Sequence, residues 1–369
     1  MTRSFTPRRL VGPVLLLALG VFLACAPYLP LKTFGILPDA LNSPGSLQLL
    51  AIMFTVAALA ASFDILVGHT GLFSFGHALF FAIGAYGFAM TLTLTDLGFG
   101  PAVLAGLGAT VLGAVVVNAV ALRASLIAFS MVTLACAQLA SIIVNRNYFR
   151  TGGEEGITLP YQKMPAVFVG IVNTKYTYWT ALALLAVVVA VTVWVTSTRL
   201  GRVWHAIREN ELRVSVMGLS VYWYKFASAV FASTLAGLCG IVYAIVLGTA
   251  DPSVTGLFYS LGLIVMVILG GKGTVWGAVV GGLLYTLLEQ RLPVVAQSDA
   301  IASLPAALRI PLSEPQLLLG AVFVVFIFVL PGGLADAARR LARRRRDDRP
   351  QRPGATRPAP DPAPAAPAG

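Results

Sequence analysis

Charged residues are scarce in this sequence. Asp, Glu, Lys and Arg make up 11% of the 369 residues and apolar residues 57%, with a mean hydropathy of +0.84, whereas a soluble globular chain carries roughly 25% charged residues. Several stretches contain almost no charge and are long enough to cross a bilayer core of about 30 Å as helices. Because a backbone in lipid must satisfy its own hydrogen bonds, these stretches are expected to be helical. The predicted fold class is therefore all-α, a polytopic integral membrane protein.

Cysteine is also rare, and its spacing argues against a disulfide framework or a zinc site. Cys25, Cys136 and Cys239 lie in apolar stretches, and none belongs to a CxxC or Cys/His motif. We interpret all three as small apolar packing residues. The sequence predicts no metal site.

A complete phosphate-binding loop is missing as well. The segment GGKGT, residues 270–274, resembles such a loop, but the pattern G-x-x-x-x-G-K-[ST] fails. Lys272 is followed by Gly273, and Met266 stands where the first glycine is required. The chain is therefore not predicted to hydrolyse ATP, and we interpret the segment as a sharp turn between two spans. The G-x-x-x-G motif that follows is typical of close helix packing.

The apolar runs predict about ten transmembrane helices. They cover residues 10–30, 46–67, 71–93, 101–122, 124–144, 176–197, 226–249, 256–271, 274–290 and 314–331. The connections within 46–93 and 256–290 are very short, which leaves re-entrant or broken helices open as alternatives. Lys and Arg concentrate on the side of the two termini, so the positive-inside rule places both termini in the cytoplasm.

The net charge of +11 follows from this distribution rather than from a nucleic-acid-binding face. Residues 1–338 form the predicted transmembrane domain. Residues 339–369 are rich in arginine and then in proline and alanine, a composition that predicts a disordered cytoplasmic tail in contact with anionic lipid.

One segment departs from the apolar character of the chain. Residues 199–226 contain seven charged side chains, which are Arg199, Arg202, Arg208, Glu209, Glu211, Arg213 and Lys225. Residues 202–217 contain no glycine or proline, which predicts one short amphipathic helix lying across the cytoplasmic face. Cations and anions are mixed on its polar side, which favours docking in a protein groove over lying on lipid. A solvated connecting helix is the alternative.

Details of this segment predict how the helix is built. Val203, Ile207 and Val214 lie close to one face with Trp204 beside them, and Glu209 and Arg213 have the spacing of an ion pair along a helix. Gly218 is expected to stop the helix and Ser220 to cap the next one. The aromatic residues 222–224 and Lys225 are expected to lie at the membrane interface.

Four polar residues near the second and third spans are candidates for lining a pathway: Asp64, His69, Ser74 and His77. An intramembrane carboxylate such as Asp64 indicates function by default, although helix capping or hydrogen bonding near His69 is an alternative. Ser74 lies in G-x-x-S-x-G rather than in the nucleophile elbow G-x-S-x-G, and no strand precedes it. We therefore favour packing or lining roles over a membrane-embedded hydrolase.

Several stretches resemble a known family when they are taken together. They are FDILVGHTGLFSFGHALFFAIGAYG (63–87), TGGEEGI (151–157), RVWHAIRENELRVSVMGLSVYWYKF (202–226), VMVILGGKGTVWGAVVGG (265–282) and LPGGL (330–334). The chain resembles the membrane subunit of an ABC importer, of the LivM-type branched-chain amino acid permease family, over roughly residues 45–335.

The resemblance implies a coupling helix at about 202–217 that docks on an ATP-binding subunit. Its core here would be Ala206, Ile207, Arg208, Glu209, Asn210, Glu211 and Gly218. The implied partners are a second, homologous (LivH-type) permease subunit, two ATP-binding subunits and an extracytoplasmic solute-binding protein. ATP and Mg would be bound by the partner subunits, so that this chain needs no cofactor. The implied location is the bacterial plasma (inner) membrane.

Two departures from the family pattern bear on the substrate and the pathway. Gly262 stands where many relatives carry an acidic residue, and His69 replaces a common aromatic residue. Urea and short-chain amide permeases share much of the pattern, so they remain an alternative to amino acid import. An ion-coupled secondary transporter is the alternative from another class, but apart from Asp64 the spans offer few ionisable residues for it.

Overall fold

The computed structural model describes residues 20, 22–29, 38, 40–297, 314–330, 332–337 and 340. The α-helices in these residues are α1 (Pro44–Asp64), α2 (His77–Leu94), α3 (Phe99–Ala121), α4 (Leu126–Asn145), α5 (Thr174–Ser197), α6 (Arg199–Glu209), α7 (Glu211–Val216), α8 (Val221–Leu247), α9 (Leu257–Gly270), α10 (Val275–Ala296) and α11 (Pro315–Val329). A π-helical segment, Ile65–Thr70, extends α1. Short 3₁₀ turns cover Ala26–Tyr28, Gly153–Glu155, Tyr161–Lys163, Ala166–Phe168, Ile171–Asn173 and Pro252–Thr255. The fold class predicted from composition is confirmed.

Nine of the ten predicted spans correspond to helices in the described residues, eight of them long enough to cross a membrane. Within the described residues, eight helical stretches are long and apolar enough to cross a membrane: α1 with its π segment, α2, α3, α4, α5, α8, α10 and α11. Helix α9 corresponds to the predicted span 256–271 but has only 14 residues. The predicted span 10–30 lies mostly outside the described residues, and so does nearly all of the predicted tail 339–369.

Helices α1 and α8 occupy the centre of the bundle. Helix α1 packs against α5, α8 and α10, whereas α2 packs against α3 and α8. In the most apolar 18 residues of α1 and its π segment, 94% of the residues are buried, as expected for a helix that is apolar on every side. Its many alanines, among them Ala57 and Ala61 at 0% exposure, let neighbouring helices approach closely.

Glycine allows the closest helix contacts, as the small-residue motifs predict. A side chain on Gly84 of α2 would overlap the carbonyl oxygen of Gly237 on α8. Gly277 and Gly281, the G-x-x-x-G motif of α10, pack in the same way against the backbone of α9 at Gly270 and Met266. The three cysteines are free. Cys239 is buried in α8 as predicted for a packing residue, whereas Cys136 is partly buried and Cys25 is exposed, so the packing role predicted for Cys25 is wrong.

The loops gather at two ends of the bundle. At the end opposite α6, strands β1 (Ile157–Thr158) and β2 (Thr249–Ala250) pair antiparallel and join the 146–173 loop to the connection between α8 and α9. A polar cavity of about 440 Å³ opens beside them, with Ser141 and Asp251 among its lining residues. The loop that carries TGGEEGI therefore lies on the face opposite the charged segment.

Candidate functional site

The charged segment folds as two helices, α6 and α7, and not as the single helix 202–217 that the sequence predicts. The break is at Asn210, which has extended backbone angles (φ −159°, ψ 103°). Its side-chain Oδ1 accepts a hydrogen bond from the backbone N–H of Arg213 at 2.9 Å. Asparagine is a strong N-cap residue because its side chain satisfies a free N–H of the first turn. The capping bond starts α7 on a new axis, so the prediction of one continuous helix is wrong.

Replacing Asn210 with alanine is expected to loosen α7 by about 0.5–2 kcal/mol, the usual cost of losing an N-cap. Amide hydrogen exchange across residues 211–217 measures this directly. Ser215→Ala is the matched control, since the hydroxyl of this exposed residue only donates to the Leu212 carbonyl within the same turn. Equal exchange in both variants would show that the Asn210 side chain does not hold α7.

The apolar face of the two helices is turned towards the bundle, as predicted. Trp204, Ile207 and Val214 are 1%, 4% and 3% exposed. The indole Nε1 of Trp204 donates a hydrogen bond to the carbonyl oxygen of Tyr224, in the first turns of α8, at 3.0 Å. The segment is therefore anchored to α8 and is not a loosely solvated connection.

Other details of the segment are partly as predicted. Gly218 has a left-handed φ of 84° just after α7, as expected for a helix stop. Ser220 precedes α8, but its side chain makes no capping hydrogen bond. The predicted pairing of Glu209 with Arg213 is wrong, because the helix breaks between them; within this described segment the ion pair joins Glu211 to Lys225 of α8 at 2.6 Å.

The outward side of the segment combines charge with exposed apolar groups. Of the predicted coupling residues, Ala206, Glu209, Asn210, Glu211 and Gly218 are exposed and Ile207 is buried; Arg208 is also exposed, but its guanidinium points inward to the carbonyl oxygen of Gly68. Beside them Leu212, Val216 and Met217 are 77%, 86% and 73% exposed. Exposed apolar side chains close together in sequence on a polar surface are typical of interaction sites, so a docking role for this side stays a prediction.

Directly beneath α6, the three longest family-like stretches meet around Asp64. The Asp64 side chain is fully buried, and its Oδ1 accepts a hydrogen bond from the backbone N–H of Gly273 at 2.7 Å. The Nδ1 of His69 lies 3.2 Å from the carbonyl oxygen of Asp64 and 3.5 Å from Oδ2. His69 thus hydrogen-bonds the backbone of Asp64 and lies close to its carboxylate, whereas the carboxylate itself is hydrogen-bonded to the GGKGT turn.

Helix α6 adds two side chains to this cluster. The guanidinium of Arg208 donates a hydrogen bond to the carbonyl oxygen of Gly68 in the π segment. The rings of His205 and His69 lie with their centroids 4.8 Å apart. Partial burial, followed by the His69 ring and the Arg208 charge, lowers the pKa of His205 below its ordinary value of about 6.5. The lowered pKa favours the neutral form of His205, which packs on His69 without charge repulsion.

The other two pathway candidates are buried away from this cluster. Ser74 is 4% exposed, and its hydroxyl accepts from the backbone N–H of Gly76 at 3.2 Å. His77 is 1% exposed, with Nε2 at 3.0 Å from the Ser62 hydroxyl and its ring against Phe63. Ser74 and His77 thus have separate partners and do not form a nucleophile–base pair. A lining role for them stays a prediction.

Sequence reasoning did not connect Arg208 with Gly68 or Asp64 with Gly273. Each residue lies in a stretch that resembles the family, but contacts across 140 and 209 positions leave no pattern in sequence spacing. In the described part of the chain, no group of three or more His, Cys, Asp or Glu side chains is arranged to hold a metal ion.

The chain is similar in sequence to known permease proteins. A family model described as "branched-chain amino acid transport system / permease component" matches residues 45–330. The LivM permease proteins of the high-affinity branched-chain amino acid transport systems of Salmonella typhimurium and Escherichia coli are each 25% identical over 271 residues, 67% of this chain and 64% of theirs. The LivH permease protein of the Salmonella system is 23% identical over 253 residues, 64% of this chain and 80% of its own. The match thus spans a little under two thirds of the LivM proteins.

Proposed function

Because the chain belongs to the branched-chain amino acid transport system permease family, we propose that it is a membrane-spanning subunit of an ATP-driven importer. Its cargo would be branched-chain or related amino acids. It would form part of the translocation pathway and would receive the energy of ATP hydrolysis from other subunits, which bind the ATP and Mg.

The observation that carries this proposal is the anchored helix pair α6–α7. Its apolar face is fixed to the bundle through Trp204, whereas its outward surface presents Leu212, Val216 and Met217 beside exposed charges. A groove on an ATP-binding subunit would cover this surface, since helices that dock in grooves offer apolar anchors surrounded by polar groups. A secondary transporter gives no reason for such a surface.

The remaining partners follow from the same family. LivM and LivH are both permease proteins of one named system, which supports a second, homologous permease subunit beside this one. The 146–173 loop and the polar cavity lie on the face opposite α6. With α6 in the cytoplasm, this face would meet a solute-binding protein that delivers the amino acid.

Reconstitution tests the energy source. The chain, its homologous permease and the ATP-binding subunits are placed in vesicles with the solute-binding protein outside, and radiolabelled leucine uptake is followed. Uptake is expected only with ATP and the ATP-binding subunits present. Uptake driven by an ion gradient without these subunits would contradict the proposal. Uptake of urea or a short-chain amide in place of leucine would change the proposed substrate but not the proposed energy source.

Changing Leu212 to aspartate tests the docking surface. A charge in the apolar part of an interface is expected to weaken association with the ATP-binding subunits by about tenfold, equivalent to about 1.4 kcal/mol. Co-purification in detergent measures this. Tyr161→Asp, at a residue 65% exposed on the opposite face, is the matched control and should leave association unchanged. Equal recovery with both variants would show that α7 is not the docking surface.

A further inference from the structure

We propose that Arg208 and Asp64 form a linkage that passes the movement of α6 to the ends of α1, α9 and α10. The inference rests on the proposed function, because it concerns how a displacement imposed on α6 by the ATP-binding subunits reaches the membrane helices. It assigns transmission to two side chains rather than to the coupling helix as a whole.

The first half of the linkage is the contact of Arg208 with the π segment. Its guanidinium donates to the carbonyl oxygen of Gly68. The aliphatic part of Arg208 lies against Gly71, where an added Cβ would be 3.2 Å from Cγ. On the other side, a Cβ on Gly273 would be 2.8 Å from the guanidinium nitrogen. Arg208 is thus held between two loop backbones, so α6 cannot shift without moving this side chain against them.

The second half joins the π segment to the GGKGT turn. Asp64, at the end of α1, accepts the hydrogen bond from the N–H of Gly273, and the turn around Gly273 connects α9 with α10. A side chain on Gly68 would overlap both Asp64 and the N–H of Gly273. Only glycine at position 68 leaves room for Asp64 to reach the N–H of Gly273. The contact between Asp64 and Gly273 therefore depends on this glycine.

Helix α6 has a second attachment to the bundle, which determines how its movement reaches the membrane helices. The indole N–H of Trp204, four residues before Arg208, donates a hydrogen bond to the carbonyl oxygen of Tyr224 on α8. Helix α6 is therefore tied to α8 at one point and to α1 at another, one helical turn apart. A rotation of α6 displaces these two points unequally, and Asp64 makes α9 and α10 follow the displacement of α1.

The π-helical form of Ile65–Thr70 suits this role. In a π segment each backbone hydrogen bond spans one residue more than in an α-helix, and such segments often occur at functional sites. It ends at Gly71, in a left-handed conformation with φ of 78°. The end of α1 is thus a short non-standard turn held by side chains from elsewhere, and its geometry depends on Arg208 and Asp64.

The test measures amino acid uptake per ATP hydrolysed in the reconstituted full complex. Arg208→Gln and Asp64→Leu are each expected to lower this ratio at least tenfold while ATP hydrolysis and subunit recovery persist. Asp64→Asn keeps an acceptor for the Gly273 N–H and should retain most of the ratio. Arg199→Gln, at an exposed residue at the start of α6, is the control and should behave as the wild-type protein does.

The double variant Arg208→Gln/Asp64→Leu separates one linkage from two independent defects. If both residues act in one chain of contacts, the double variant should be no worse than the more affected single variant. A wild-type ratio in Arg208→Gln, or multiplied defects in the double variant, would overturn the proposal. So would loss of the ATP-binding subunits from Arg208→Gln, because Arg208 would then belong to the docking surface. Failure of the wild-type chain to bind those subunits would refute the proposed function itself.

Discussion

Trp204→Ala is expected to abolish ATP-driven uptake and to lower the thermal unfolding midpoint in detergent. Trp204 is among the largest fully buried side chains described, at 1% exposure, and its indole holds α6 on α8. Removing a buried tryptophan side chain costs about 3–5 kcal/mol through lost burial and the cavity that remains. Without this anchor, a force applied to α6 would tilt the helix instead of moving the bundle.

Two further variants identify the cause of that loss. Trp204→Phe keeps much of the buried surface but loses one ring of the indole and the hydrogen bond to Tyr224, the latter worth about 0.5–1.5 kcal/mol, so it should retain partial uptake. Trp194→Ala removes a tryptophan that is 67% exposed on α5 and should leave uptake unchanged. Wild-type uptake by Trp204→Ala would mean that α6 does not depend on this anchor.

The second large effect is expected for Gly240→Leu. A side chain at Gly240 of α8 would overlap the carbonyl oxygen of Phe81 on α2, so α2 and α8 would have to separate. Overpacking typically costs about 1–3 kcal/mol and more where backbone must move. The variant is expected to lose the monodisperse peak in size-exclusion chromatography and to unfold at a lower temperature.

The matched variant for this change is Gly108→Leu on α3. An added side chain there meets nothing within 4 Å, and leucine favours helix more than glycine does. This variant should purify as the wild-type protein does. If Gly240→Leu behaved in the same way, the close contact between α2 and α8 would not be needed for folding.

The sequence was sufficient for features that depend on local composition. Uninterrupted apolar runs predict the spans, because a bilayer requires long apolar helices whatever their packing. The stop at Gly218 and the buried face with Trp204 are also local, since φ preference and helical period determine them. These elements are where the sequence predicts.

Features decided by tertiary contact were beyond the sequence. The break at Asn210 was missed because asparagine is compatible with a helix interior and becomes a cap only when the chain turns there. The pairing of Glu211 with Lys225 replaces the predicted Glu209–Arg213 pair for the same reason. The contact of Asp64 with Gly273 depends on how α1 and α10 pack, which neither segment reveals alone.

The shortness of α9 has a consequence for the chain that precedes it. Its 14 residues rise about 21 Å, against a hydrocarbon thickness of about 30 Å. The helix is therefore shorter than the hydrocarbon layer, and irregular chain at membrane depth needs protein or water around its backbone groups. Before Leu257 the β1–β2 pairing and the 3₁₀ turn Pro252–Thr255, in which Val254 and Thr255 are buried, supply such cover. Protein contacts on this side thus take the place of the helical turns that α9 lacks.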